Sequence, residues 1–235
     1  MKKFKAFIAL DCKTNIENIK VVKKLSSEVF GFKVGYRSFY SQGSKKLLAE
    51  IKKNKCQLFL DLKLHDIPNT VSTAITSLSK VNPDYLTLHI AGGKAMLEES
   101  LISLKKNKLK TKLLGVTLLT SLDQRDSKLI FSEENTNLLV KKFAKIANST
   151  NIHGLICSGE ELDNLRGFKK LIKVTPGVKL FGRKDDQKRV SFVHDALNKG
   201  ANYVVIGREL IQSKDPLRLL KKYYEENKNK NLWTN

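Results

Sequence analysis

Cysteine is scarce: the 235-residue chain has three, Cys12, Cys56 and Cys157. An odd number without metal-ligand spacing excludes a disulfide framework and a thiolate zinc or iron–sulfur site. Each lies in or beside an apolar run, so the sequence predicts reduced, packed thiols. Long hydrophobic runs are missing too. The apolar stretch entered through Met1-Lys2-Lys3-Phe4-Lys5 stops at Asp11, with no small-residue cleavage site after it, which predicts a cytoplasmic protein without a membrane partner. Acidic residues are few, 23 against 44 Lys and Arg, leaving a formal net charge of +21. Such an excess attracts nucleic acid, membranes or small anions. Lysine pairs such as Lys23-Lys24, Lys105-Lys106 and Lys221-Lys222 are nevertheless scattered along the chain, without the interleaved aromatics on which bases stack. The expectation is a solvated basic surface that draws in an anionic small substrate, with no nucleic acid as partner. No internal linker is visible, so residues 1–235 read as a single domain with one large core and a polar tail over 225–235.

What is there is a repeated apolar pattern. Continuous runs over residues 4–11, 30–35, 58–64, 85–90, 112–119, 154–157, 171–175 and 203–206 read as buried strands. Helical patterns alternate with them. Thr14-Asn15-Ile16-Glu17 reads as a capping box before a helix with Ile16, Ile19, Val22, Leu25 and Val29 on one side. Further helices are expected over 44–54, 70–80, 137–148, 160–165 and 217–224, and around Met96 to Leu104. The alternation predicts an α/β fold, a single (β/α)8 TIM barrel with parallel strands; an open doubly wound sheet is the alternative.

The barrel is preferred because polar residues mark the carboxyl ends of many strands: Asp11, Lys33, Asp61 with Lys63, His89, Thr120 with Ser121, and Gly207 with Arg208. In that fold strand ends converge on one mouth, where catalytic groups sit. The densest of these sites is Asp61-Leu62-Lys63-Leu64-His65-Asp66. Strand alternation puts Asp61, Lys63 and His65 on one face and the leucines on the other, and Asp66 falls on the loop before Ile67-Pro68. Burying an ion pair costs several kcal/mol per ion on the usual estimates, so stability alone rarely selects it. With Asp11 and Lys33, the alternating charges form a network in which opposite signs hold each other ionised. Thr175-Pro176-Gly177 and the end of strand eight, Val205-Ile206-Gly207-Arg208, match the positions where barrels of this kind hold phosphate.

Asp61-Leu62-Lys63-Leu64-His65-Asp66-Ile67-Pro68-Asn69-Thr70 closely resembles the signature of the orotidine 5′-monophosphate decarboxylase family. The likeness continues in register through Ala9-Leu10-Asp11, Phe32-Lys33-Val34-Gly35, Leu119-Thr120-Ser121, Thr175-Pro176-Gly177-Val178, Asp185-Asp186-Gln187 and Val205-Ile206-Gly207-Arg208. The resemblance implies decarboxylation of orotidine monophosphate (OMP) to uridine monophosphate (UMP), without metal or other cofactor. It implies that Lys63 delivers the proton, and that Lys33, Asp61, Lys63 and Asp66 form the charged network. It places Asp11, Lys33 and Thr70 at the ribose, Thr120 at the pyrimidine, and Gln187, Gly207, Arg208 and Lys179 at the phosphate. It further implies a homodimer in which Asp66 and Thr70, with Ile67 between them, reach the partner's substrate. One departure is visible: Lys179 stands where the family usually has arginine, and Arg183 is a candidate to compensate. Two other readings remain open. Magnesium-dependent phosphosugar enzymes such as hexulose-phosphate aldolases share Asp-x-Lys-x-x-Asp, and a basic nucleic-acid-binding protein can be built on an inactive barrel.

Overall fold

The computed structural model describes residues 3–182, 191–228 and 232–234. In chain order the elements begin with β1 (Phe4–Ala9), α1 (Asn15–Leu25), β2 (Val29–Gly35), α2 (Tyr36–Tyr40), α3 (Ser44–Lys53), β3 (Gln57–Leu64) and α4 (Pro68–Ser77). They continue with β4 (Tyr85–His89), α5 (Gly93–Lys106), β5 (Lys112–Val116), α6 (Gln124–Phe131), α7 (Thr136–Ser149), β6 (Gly154–Ile156) and β7 (Ile172–Pro176). The last are β8 (Val178–Lys179), β9 (Ser191–Phe192), α8 (Val193–Asn198), β10 (Tyr203–Ile206), α9 (Arg208–Ile211) and α10 (Pro216–Glu226). Eight strands close into a barrel, in the order β1-β2-β3-β4-β5-β6-β7-β10 and back to β1, while β8 and β9 pair separately. The ladders are parallel. The (β/α)8 expectation therefore holds, and the open sheet is set aside.

Packing divides the chain into two units, Met1–Asp61 with Thr175–Asn235, and Leu62–Val174. In the first, β1 is buried on both faces, as a parallel strand covered by helices must be. Phe7 meets Phe30, Phe59 and Tyr203 at ring separations of 5.3, 5.2 and 5.6 Å. Phe7 and Phe59 are fully buried, and each such side chain contributes about 1.5–3 kcal/mol. The capping box forms at Thr14 and Glu17. The helix differs from the expectation, however: it ends at Leu25, with Val29 already in β2, and on its inner face Asn15, Asn18, Val22 and Leu25 are buried while Ile16 is 71% exposed. A hydrogen-bond network explains the rotation. Asn15 Nδ2 donates to the carbonyls of Ser38 and Gln42, Asn18 Nδ2 donates to Ser38 Oγ, and Ser38 Oγ donates to the Leu10 carbonyl. Amides so satisfied can occupy the inner face without leaving a buried polar group unpaired. Trp233 packs against Tyr224, ring centroids 4.5 Å apart, and bridges Phe4.

In the second unit α4 starts at Pro68, two residues before the expected Thr70. Proline at the first helical position has no amide to leave unsatisfied, and the extended Ile67 before it is what proline demands. Val71 and Ile75 of α4 and Met96, Leu97 and Leu104 of α5 are buried. Between β5 and α7, where no helix was expected, stands α6, capped by Asp123, whose carboxylate accepts the amides of Arg125 and Asp126 at 2.8 and 2.9 Å. All three cysteines are free thiols. No helix among the described residues is long and apolar enough to cross a membrane.

Candidate active site

In the first unit, β10, β1, β2 and β3 are successive neighbours of the barrel. Their registers, Ile8↔Ile206, Ala9↔Lys33 and Gly35↔Asp61, set the carboxyl ends side by side. The strand ends thus gather Asp11, Lys33, Asp61, Gly207 and Arg208. Lys33 and Asp61 meet as an ion pair, Nζ to Oδ2 3.1 Å, with each side chain 13% exposed. A pair this deep exchanges hydration for mutual attraction, so each partner depends on the other far more than in a surface pair. Asp11 is exposed just beyond β1, and Arg37 donates to its carbonyl at 3.4 Å. Tyr36, next after Gly35, has its phenol pushed above its ordinary value by burial and then by the negative charge of Asp61. Arg208 is exposed at the start of α9, and Lys179 is exposed at the end of β8. Gln187, and with it Arg183, lies outside the described residues.

In the second unit, Lys63 occupies the far end of β3 with φ +41°, in the left-handed region that non-glycine residues seldom enter. The strand alternation expected to run through His65 is therefore broken at Lys63. Its amide donates to the buried Thr87 hydroxyl at 2.8 Å, so a side chain of β4 fixes the distorted backbone. Such conformations persist only where the surroundings over-determine them, and they concentrate at functional sites. His65 and His89 lie ring to ring at 5.2 Å. Asp66 is exposed and its carboxylate accepts the Ile67 amide at 2.7 Å, while Ile67 is 66% exposed. Thr70 is exposed in the first turn of α4, and Thr120 is exposed in the turn before α6.

One residue at these strand ends escaped the sequence reading. Glu161 accepts the Ser158 amide at 2.9 Å, and burial pushes its carboxyl above the usual range, against hydrogen bonds from Ser158 and Thr117. The only signal was an acidic pair, Glu160-Glu161, just after strand six, and it reads equally as the start of a surface helix. Among the described residues no group of three or more His, Cys, Asp or Glu side chains is disposed to hold a metal ion.

A profile of the orotidine 5′-phosphate decarboxylase / HUMPS family matches residues 5–223. The chain belongs to that family. Family relatives named orotidine 5′-phosphate decarboxylase include one from a Wolbachia species of Brugia malayi, 38% identical over 88% of this chain and 92% of its own. Another, from Staphylococcus aureus, is 37% identical over 93% of this chain and 96% of its own. Among solved structures, the orotidine 5′-phosphate decarboxylase of Lactobacillus acidophilus superposes with a TM-score of 0.78 at 27% identity, covering 95% of this chain and 99% of that one. An uncharacterised conserved protein from Geobacillus kaustophilus matches with the same TM-score, 0.78, at 29% identity, covering 94% of this chain and 98% of its own.

Proposed function

We propose that the protein decarboxylates OMP to UMP in pyrimidine nucleotide synthesis, in the cytoplasm and without metal or organic cofactor. The observation that carries this reading is the Lys33–Asp61 pair, 3.1 Å apart and little exposed, on the strand that two residues later bears Lys63 in a left-handed backbone. Family membership and the names of the relatives support it.

Loss of carbon dioxide from an sp² ring carbon leaves a carbanion with no neighbouring carbonyl to delocalise it, so electrostatics must lower the barrier. Lys63 stabilises the charge developing at C6 and then protonates it, an interaction stronger in the transition state than in the bound substrate. Asp61 stands beside the departing carboxylate. Two like unit charges about 4 Å apart repel by about 4 kcal/mol at an effective dielectric near 20, and Lys33 tempers that repulsion while holding Asp61 ionised. Enzymes lower barriers by about 8–23 kcal/mol, more than one proton donor supplies. Binding energy from the phosphate, gripped by Gly207, Arg208, Lys179 and Gln187, therefore contributes to the chemical step. Asp11, Lys33 and Thr70 orient the ribose, and Thr120 orients the pyrimidine.

The exposed corner Asp66-Ile67 with Thr70 supports a homodimer in which these residues complete the partner's site. An isoleucine 66% exposed beside a carboxylate is better covered than left in water. The deciding experiment is a spectrophotometric assay of OMP decarboxylation in the presence of a chelator. Turnover that persists supports the reading; its absence overturns it, and activity restored only by magnesium favours a metal-dependent phosphosugar reaction.

A further inference from the structure

The first unit carries a carboxylate where a site for a phosphate dianion should least tolerate one. Glu209 directly follows Arg208, and like charge near a bound dianion weakens binding. Its two oxygens are turned to the main chain of another segment. One accepts the Leu180 amide at 2.7 Å and the other accepts the Phe181 amide at 3.2 Å. Hydrogen bonds to an ionised acceptor are about twice as strong as neutral ones, and two on one planar group also fix direction.

The segment so held is the stem that leaves β8, and it is fixed on its other sides as well. Val178 and Lys179 pair with Ser191 and Phe192. The Phe181 ring lies edge-on to Tyr223 at 5.6 Å, with the Lys222 ammonium 5.4 Å over it. Gly182, at φ +146°, passes so close to Phe192 that a Cβ there would stand 2.9 Å from the ring. These contacts hold the stem to β9 and α10. Glu209 alone among the contacts named here holds it to the helix that begins with Arg208.

We propose that Glu209 is a positioning residue for phosphate recognition: it joins the residue after Lys179 to the residue after Arg208, so that the two cations are presented in a fixed mutual register. This rests on the functional reading above. A carboxylate so placed lowers the anion's affinity by its charge and raises it by ordering the groups that bind. The bidentate geometry indicates that ordering prevails, because each oxygen is already engaged by a main-chain donor.

The test compares OMP with orotidine, the same substrate without its phosphate, for the wild type, Glu209→Ala and Glu209→Gln, with the melting temperature of each. Glu209→Ala is expected to lower kcat/KM for OMP roughly 10- to 100-fold, the scale of losing hydrogen bonds to a charged acceptor, while kcat/KM for orotidine stays within about twofold. Glu209→Gln should fall between, because its single oxygen accepts one amide while its NH2 group meets the other. Equal losses on both substrates indicate a merely structural role and overturn the inference, as does an unimpaired Glu209→Ala. A wild type inert toward OMP overturns the functional reading, and this inference with it; an active wild type with an unimpaired Glu209→Ala overturns the inference alone.

Discussion

Lys33 and Lys173 both stand on barrel strands with little of the side chain in water, and the two surroundings differ in kind. Lys33 faces a carboxylate at 3.1 Å. Lys173, on β7, is 7% exposed and donates to the carbonyls of Phe168 and Leu171 at 3.0 and 3.4 Å. Burial pushes its ammonium below the ordinary lysine range, opposed by Cys157. Glu161 is its acidic counterpart, buried among neutral donors and shifted toward its own neutral form. Where a carboxylate faces the ammonium, their attraction offsets the hydration both have lost. Where burial is the largest influence, the protein tolerates the group but disfavours its charge.

Substitutions at the two kinds of place should separate them. The largest effect is expected for Lys63→Ala, with turnover on OMP reduced by roughly four orders of magnitude or more, UMP binding retained by titration, and partial activity recovered on mixing with inactive Asp66→Asn if the sites are shared between protomers. Next is Lys33→Ala, which deprives Asp61 of its buried cation. Denaturant unfolding should show a loss of roughly 2–3 kcal/mol, somewhat below the usual penalty for breaking a buried pair because some exposure remains, and kcat should fall with it. Lys173→Met should by contrast lie within about 1 kcal/mol of wild type at pH 7, since an apolar isostere replaces a charge that burial already disfavours. If Lys33→Ala and Lys173→Met prove equally costly, the distinction fails.

The smallest effect is a pH dependence at Glu161. Its folded carboxyl titrates above the unfolded one, so its favourable contribution is full below the unfolded value near 4.5 and is lost as pH rises through the raised folded value. Relative to Glu161→Gln, wild type should therefore gain stability on acidification from pH 7 toward 4.5. Melting temperatures of the two proteins measured in parallel across that range check the sign.

Much of the frame was legible because it rests on long patterns. Strands such as Phe4–Ala9 and Gln57–Leu64 are continuous apolar runs, and the Thr14–Glu17 cap is a local device. The inner face of α1 was misread because periodicity counts apolar residues, whereas Asn15 and Asn18 are buried through hydrogen bonds to a segment twenty or more residues away. Elements as short as α2, α9 and the β8–β9 pair carry too few residues to show a period. At the strand ends of each unit, the ionic residues stood out because they interrupt apolar strands. Glu161 and Glu209 did not, since a carboxylate that serves a main-chain amide looks in sequence like any other surface acid.

The turn of the backbone at Lys63 gives that position two duties. Glycine enters the same conformation without a steric penalty, so Lys63→Gly should yield a protein about 1 kcal/mol sturdier than the parent and, if the amine carries the proton, inert. On the proposed mechanism, selection for durability alone would drift toward that dead end, and the lysine is a point where longevity of the molecule is traded for turnover.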